Sequence, residues 1–181
     1  MLIVLEGIDC SGKTTATQLL AAQMGMVSYA TPPSAFRKER NRIDADASPH
    51  DHYLFYLEGI RLASVEIKQL LSTGASVVCD RYWLTTYVYH TIMGLSVNID
   101  DFKNLVLPDL TVLLLVGPDV QAKRFLQRGL SVGDRRMINV QRDLEQEYVR
   151  TLAHLQIHYF SVSTDHMAPQ EVVRKIITEL P

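Results

Sequence analysis

Short runs of apolar residues alternate along the chain with longer segments in which apolar residues recur every three or four positions. The short runs are mostly β-branched or aromatic, which is typical of strands buried on both faces of a sheet. They cover residues 2–5, 26–29, 77–79, 111–116 and 157–162. Strands that alternate with helices imply right-handed crossovers. The pattern therefore predicts a three-layer α/β fold with a mainly parallel five-stranded sheet flanked by helices.

Two of the longer segments have helical periodicity over several turns. In the first, apolar residues recur through residues 53–71, and Gly74 follows as a stop signal. The second covers residues 137–155. Residues 31–49 and 129–136 lack this periodicity, and we expect loops or mobile segments there.

Residues 7–14 have the sequence GIDCSGKT, which matches the phosphate-binding motif G-x-x-x-x-G-K-[ST]. The motif follows the first predicted strand and precedes a helical segment, so its backbone N–H groups lie at a helix N-terminus, where anions bind. We expect Lys13 to reach the β- and γ-phosphates of a nucleoside triphosphate, and the Thr14 hydroxyl to bind Mg²⁺. No N-K-x-D signature of guanine-binding proteins is present, which argues against a GTPase. The ATP-binding residues that the motif predicts are Gly7, Ile8, Asp9, Cys10, Ser11, Gly12, Lys13, Thr14 and Thr15.

Composition narrows the class of protein. The 181 residues include 47% apolar and 21% charged side chains, which excludes disordered and collagen-like chains. A net charge of −2 gives no overall positive field for nucleic acid. Two cysteines cannot form a disulfide framework, and no apolar run has the length of a signal peptide or a membrane span. We expect one domain, residues 1–181, in the cytoplasm, with no nucleic-acid or membrane partner.

Three sequence features accompany the phosphate-binding motif. It lies within LEGID at residues 5–9, the third predicted strand ends in DRY at residues 80–82, and PDLT at residues 108–111 introduces the fourth. In this combination the chain resembles the thymidylate kinase family through nearly its whole length. The resemblance implies a P-loop kinase domain with a mobile LID segment around residues 129–136. It also implies a homodimer that phosphorylates dTMP to dTDP with ATP and Mg²⁺, a step of nucleotide biosynthesis.

Phosphoryl transfer to a nucleoside monophosphate needs positive charge more than it needs a base, because the attacking phosphate is already anionic. Two unit charges about 4 Å apart repel by about 4 kcal/mol at an effective dielectric constant of about 20. We therefore expect catalytic roles for Lys13 and Arg81, with Arg81 gripping the acceptor phosphate bidentately. Asp80, at the end of a strand, is expected to hold a water of Mg²⁺ or to orient the acceptor phosphate. Three LID arginines are candidates for a further cation that moves in on closure: Arg128, Arg135 and Arg136.

The acceptor pocket departs from the family pattern. The resemblance implies that Asp9 binds the sugar 3′-hydroxyl, and that F-x-x-x-R on the helix before DRY reads the pyrimidine. Phe55 fits the aromatic position, but Gly59 stands four residues later and Arg61 two positions beyond it. We favour dTMP as acceptor; the alternatives are another or modified pyrimidine nucleotide, a nucleoside, or a regulatory module without turnover. The predicted acceptor-binding residues are Asp9, Arg37, Arg40, Phe55, Arg61, Arg81, Thr85 and Tyr89.

Overall fold

The computed structural model describes residues 1–180 of the chain, and one sheet of five strands lies at its centre. The strands are β1 (Leu2–Glu6), β2 (Val27–Ala30), β3 (Val77–Asp80), β4 (Leu110–Leu115) and β5 (Tyr159–Ser163). All neighbours pair in parallel, in the order β2-β3-β1-β4-β5. The predicted parallel sheet is therefore confirmed. The last strand begins later than predicted, because the Ile157 amide bonds to the Leu152 carbonyl at the end of the preceding helix.

Within residues 1–180, eight α-helices accompany the sheet. They are α1 (Lys13–Met24), α2 (Arg37–Asp46), α3 (Pro49–Ser72), α4 (Trp83–Ile92), α5 (Pro118–Arg128), α6 (Val132–Met137), α7 (Gln141–His154) and α8 (Pro169–Thr178). No helix in this part of the chain is both long enough and apolar enough to cross a membrane.

Two helices lie where the sequence predicted loops, and that prediction is wrong for both. The α2 helix buries only Ile43 and Asp44, so its sequence shows no apolar period. The short α6 helix begins at a capping box in which Ser131 and Asp134 bond to each other's backbone amides. Polar helices of this kind are held by caps and neighbouring helices, which a search for apolar periodicity does not detect.

The core occupies both faces of the sheet. Ile3 and Leu5 of β1 pack with α1 and α8, whereas Leu2 and Val4 pack with α3 on the opposite face. The α4 and α7 helices pack together beside the end of β4. Burial on both faces explains the unbroken apolar runs of the central strands.

The position of β1 creates a crevice at one edge of the sheet. It pairs with β3 on one side and with β4 on the other. The strand order therefore reverses at β1, with β2 and β3 on one side of it and β4 and β5 on the other. In open parallel sheets, ligands bind beyond the carboxyl ends of strands at such a point. The loop after β1 and the residues after β3 both face this crevice.

Two glycines with positive φ allow a test of how closely the loop after β1 fits the sheet. A Cβ atom on Gly7 (φ 138°) would collide with the Leu114 carbonyl oxygen, whereas one on Gly25 (φ 64°) would meet no atom of residues 1–180 within 4 Å. We expect Gly25→Ala to lower the free energy of unfolding by about 1 kcal/mol through backbone strain alone. Gly7→Ala should lower it by about 3 kcal/mol or more, since backbone must also move. Urea denaturation of both variants measures the difference, and equal losses would contradict the close packing.

Candidate active site

The loop between β1 and α1 holds Lys13 against its own backbone. The Lys13 ammonium donates to the Ile8 carbonyl at 2.6 Å and to the Ser11 hydroxyl at 3.2 Å. Burial, helped by the nearby charge of Arg81, lowers the pKa of Lys13 to about 7, although neighbouring carboxylates act in the opposite direction. An anion bound beside this group would favour its charged form.

The start of α1 and the end of β3 bring together two oxygen-bearing side chains. The Thr14 hydroxyl donates to Asp80 Oδ2 at 2.5 Å, and Asp80 Oδ1 is buried and has no hydrogen-bond partner among residues 1–180. A buried carboxylate oxygen left unpaired is costly, so it needs a cation or an ordered water. Mg²⁺ in nucleotide sites is held by one or two protein oxygens together with phosphates. Thr14 and Asp80 therefore fit such a metal.

Arg81 turns back from the end of β3 toward the loop after β1. It adopts a φ of 66°, forms an ion pair with Asp9 and donates to the Gly7 carbonyl at 3.0 Å. The second Asp9 oxygen accepts from the Tyr89 hydroxyl at 3.0 Å and from the Gln141 amide at 3.1 Å. Burial acts to raise the pKa of Asp9, but the charges of Arg81 and Lys13 and the hydrogen bonds from Gln141 and Tyr89 together outweigh it, and the pKa lies below the ordinary value of 3.8. Asp9 is therefore ionised and holds the guanidinium in place.

Glu6 is a site residue to which the sequence reasoning gave no role. Only 1% of it is exposed; one carboxylate oxygen accepts from the Tyr82 amide at 3.0 Å, and the other from the Thr85 hydroxyl at 2.5 Å. Burial raises the pKa of Glu6 to about 7. These bonds join the end of β1 to the turn that carries Arg81. An acidic residue ending an otherwise apolar strand was the available signal.

Two adjoining cavities open from the crevice. The first, called the P-loop cavity, is lined by Cys10, Gly12, Lys13, Thr14, Thr15, Ala30, Asn41, Asp80, Arg124, Gln127 and Arg128. The second, called the inner cavity, is lined by His52, Tyr56, Thr85, Thr86, Tyr89, His90, Met93, Gly133, Arg136 and Met137. Both are lined by Asp9, Thr31, Arg40, Asp44, Arg81, Ser131 and Asp134. Two arginines, one carried by α2 and one following β3, therefore stand where the cavities meet.

The remaining predicted residues of the loop lie behind the P-loop cavity. Gly7, Ile8 and Ser11 are buried. The carbonyl groups of Gly7 and Ile8 accept from Arg81 and Lys13, and the Ser11 carbonyl accepts from Thr164 at 3.0 Å. Through these hydrogen bonds, the three residues stabilise the conformation of the loop.

The LID arginines lie in different environments. Arg128 lines the P-loop cavity and donates to Asp134 at 2.6 Å. Arg135 is exposed and lines neither cavity. Arg136 donates to the carbonyl groups of Asp44 at 3.2 Å and Ala47 at 2.9 Å, at the end of α2. The structure therefore brings Arg128, and not Arg135, to the cavity beside the phosphate-binding loop.

Of the predicted acceptor-binding residues, the structure places five at the inner cavity, namely Asp9, Arg40, Arg81, Thr85 and Tyr89, but three others lie elsewhere. These three are Arg37, Phe55 and Arg61.

The helical phase of α3 accounts for part of this difference. Phe55 packs edge-on against Phe36 at 5.0 Å, and the next residue, Tyr56, lines the cavity instead. Arg61 is exposed and donates to Glu58 at 2.7 Å. A Cβ atom on Gly59 would lie 3.1 Å from the Pro32 side chain, which shows that the middle of α3 packs closely against the segment after β2.

Glu6 provides a pH test of the site. A pKa raised to about 7 means that the folded protein holds this proton more tightly than the unfolded chain, so stability falls as the pH rises from about 4.5 to 7. We expect Glu6→Gln to remove a slope of up to about 1.4 kcal/mol per pH unit from the free energy of unfolding. Denaturation at several pH values below 7 measures this slope. Above pH 7 the lowered pKa of Lys13 makes stability rise with pH, so measurements in that range are avoided. The exposed Glu58→Gln serves as control, and an unchanged slope in Glu6→Gln would contradict the assignment.

The chain is similar in sequence to known proteins. The sequence model of the family described as thymidylate kinase matches residues 5–176. The probable thymidylate kinase of Archaeoglobus fulgidus is 30% identical over 139 residues, which cover 71% of each chain. That of Methanococcus vannielii is 29% identical over 189 residues, 96% of this chain and 92% of the relative.

A solved structure extends the likeness to three dimensions. The thymidylate kinase of Candida albicans superposes with a TM-score of 0.83 at 18% identity, covering 98% of this chain and 89% of the other. At this identity the likeness shows the fold, while the match of the family's sequence model over residues 5–176 shows the relationship. The chain belongs to the thymidylate kinase family.

Proposed function

We propose that this protein transfers the γ-phosphoryl group of ATP to dTMP and forms ADP and dTDP. One observation carries the proposal: Arg81 and Arg40 stand where the P-loop cavity meets the inner cavity. An arginine at such a junction faces both a triphosphate in the first cavity and a monophosphate in the second. The names of the relatives support dTMP as the acceptor.

In the P-loop cavity, the chain supplies positive charge and N–H donors to the triphosphate. Lys13 would leave the Ile8 carbonyl, which it contacts at 2.6 Å, and move to the β- and γ-phosphates. Thr14 and Asp80 would hold Mg²⁺ directly or through its water. Bound there, the metal supplies charge neutralisation between the phosphates.

In the inner cavity, the acceptor needs orientation rather than deprotonation. An oxygen of the monophosphate is already anionic near neutral pH and attacks the γ-phosphorus, while the bond from that phosphorus to the β-phosphate oxygen breaks. Arg81 binds the acceptor phosphate, and Arg40 provides a second contact. Asp9, held by Arg81 and Tyr89, accepts a hydrogen bond from the sugar 3′-hydroxyl.

The LID is expected to complete the site on closure. Arg128 lines the P-loop cavity from the end of α5 and is paired with Asp134 at 2.6 Å. If Arg128 exchanged the Asp134 carboxylate for an oxygen of the transferred phosphoryl group, its positive charge would stabilise that group. A mobile segment around residues 129–136 within one domain of residues 1–181 provides the motion.

Family resemblance also supports a cytoplasmic homodimer. Analytical ultracentrifugation of the purified chain measures the dimer, and a monomer at all concentrations would contradict it.

The acceptor assignment is tested by ADP release with Mg-ATP and a panel of acceptors: dTMP, dUMP, dCMP, thymidine and none. We expect dTMP to give the highest kcat/KM. Arg81→Ala should lower kcat/KM for dTMP by about 100-fold or more, because a charged donor at the transferred phosphate is lost. The exposed Arg61→Ala is the matched control and should stay near the wild type. Equal turnover of another acceptor, or an active Arg81→Ala, would overturn the proposal.

Kinetics can separate the roles of two of the LID arginines, Arg128 and Arg135. Since Arg128 lines the P-loop cavity and Arg135 lines neither cavity, we expect Arg128→Ala to lower kcat by about 10-fold or more, and Arg135→Ala to change it by less than about threefold. Steady-state rates at saturating ATP and dTMP measure both. A larger loss in Arg135→Ala would show that closure brings in the other arginine.

A further inference from the structure

Two buried glutamines meet at Asp9, one from each of the helices that flank the LID. Gln121 lies near the start of α5 and Gln141 begins α7, and 5% of the first residue and 4% of the second are exposed. Gln121 Nε2 donates to the Asp9 carbonyl at 2.8 Å and to Gln141 Oε1 at 3.0 Å. The Asp9 backbone amide donates to the same Oε1 at 3.2 Å. Both backbone polar groups of Asp9 are therefore bound by glutamine side chains.

The orientation of both glutamine amides follows from their partners. Arg142 Nη2 can only donate, and it lies 3.0 Å from Gln121 Oε1, so the Gln121 nitrogen faces Asp9. The Asp9 backbone amide can also only donate, so it faces Gln141 Oε1. Gln141 Nε2 then donates to Asp9 Oδ2 at 3.1 Å and to the Met137 carbonyl at 3.1 Å. Both donor and both acceptor positions of the Gln141 amide are therefore occupied.

These contacts direct Asp9 away from the triphosphate. In a phosphate-binding loop the backbone N–H groups point at phosphate oxygens, but the Asp9 N–H points at Gln141. A carboxylate has about four lone-pair sites. Within residues 1–180, Arg81, Tyr89 and Gln141 each donate to one site of the Asp9 carboxylate, which leaves one site for a donor on a ligand. Asp9 also lines the inner cavity, so a ligand in that cavity can supply the donor.

We propose that Gln141 is a positioning residue, which sets the affinity of the inner cavity for the sugar of the nucleoside monophosphate by holding the Asp9 carboxylate toward the 3′-hydroxyl. The proposal rests on the proposed function for the acceptor and for this contact of Asp9. Without the Gln141 amide, the backbone N–H and one carboxylate oxygen of Asp9 each lose a partner, and the carboxylate can turn away from the sugar.

The ATP side of the site does not depend on Gln141. Lys13 is held by the Ile8 carbonyl and the Ser11 hydroxyl, and Thr14 is held by Asp80. None of these contacts passes through the Gln141 amide. Loss of that amide should therefore weaken binding of the acceptor and leave binding of ATP nearly unchanged.

The sugar contact is measured as the ratio of the Kd of 3′-deoxy-dTMP to the Kd of dTMP, by isothermal titration calorimetry. Because a hydrogen bond to a charged group is lost with the 3′-hydroxyl, we expect a ratio of about 10 in the wild-type protein. Gln141→Met keeps the length of the side chain but removes its amide. In this variant the ratio should fall to about 2, while the Kd of ATP changes by less than about threefold. Gln146→Met, at an exposed glutamine of α7, is the matched control and should keep the wild-type ratio.

A purely structural role of Gln141 gives a different result. If its amide only stabilised the loop, Gln141→Met would weaken dTMP and the 3′-deoxy analogue equally, and the ratio would stay at the wild-type value. That outcome, or equal binding of both nucleotides by the wild-type protein, would overturn the proposal. Thermal unfolding of each variant shows whether it is folded.

A second variant serves if Gln141→Met does not fold. Gln121→Met removes the donors to the Asp9 carbonyl and to Gln141 Oε1, and we expect it to lower the ratio by about twofold or more. An unchanged ratio would then overturn the proposal. If the acceptor panel favours a nucleotide other than dTMP, the proposed function fails. The ratio is then measured with that nucleotide and its own 3′-deoxy analogue, and it decides the role of Gln141 separately.

Discussion

The ion pair between Arg81 and Asp9 is the contact on which the rest of the site depends. It joins the end of β3 to the loop after β1, so it can form only because these strands are neighbours in the sheet. Its net contribution to stability is small, because desolvation of two charges offsets most of their attraction. Removing either partner would nevertheless leave a buried, unpaired charge. Tyr89 and Gln141 occupy the other Asp9 oxygen, so the pair fixes α4 and α7 against the phosphate-binding loop as well.

Near the Arg81–Asp9 pair, burial disfavours the charged forms of two further side chains, Lys13 and Glu6. Lys13 and Glu6 both have pKa values near 7, one lowered and the other raised by desolvation. A phosphate bound in the P-loop cavity, which Lys13 lines, would favour the charged form of Lys13, since negative charge nearby stabilises an ammonium.

The parts that sequence could predict are those with a local pattern. The phosphate-binding motif, the strand runs and the Asp80–Arg81 pair each lie within a few consecutive residues, and the structure places them at one crevice. Phe55 was assigned in place of Tyr56 because one residue turns a helix by about 100°, and spacing from a distant motif does not fix that phase. The contact between Asp9 and Gln141 spans 132 residues, and that between His52 and His90 spans 38. No local signal marks such partners.

The contact between Arg136 and the end of α2 constrains how the inner cavity can open. The guanidinium donates to the backbone at Asp44 and Ala47, so α6 and α2 form one wall with a shared hydrogen-bonded seam. Lifting α6 alone must break this seam, whereas lifting both carries Arg40 and Asp44 outward together. In the second case the exit widens at the same moment as the acceptor phosphate loses a cation. Release of a charged product and opening of its route would then be a single movement.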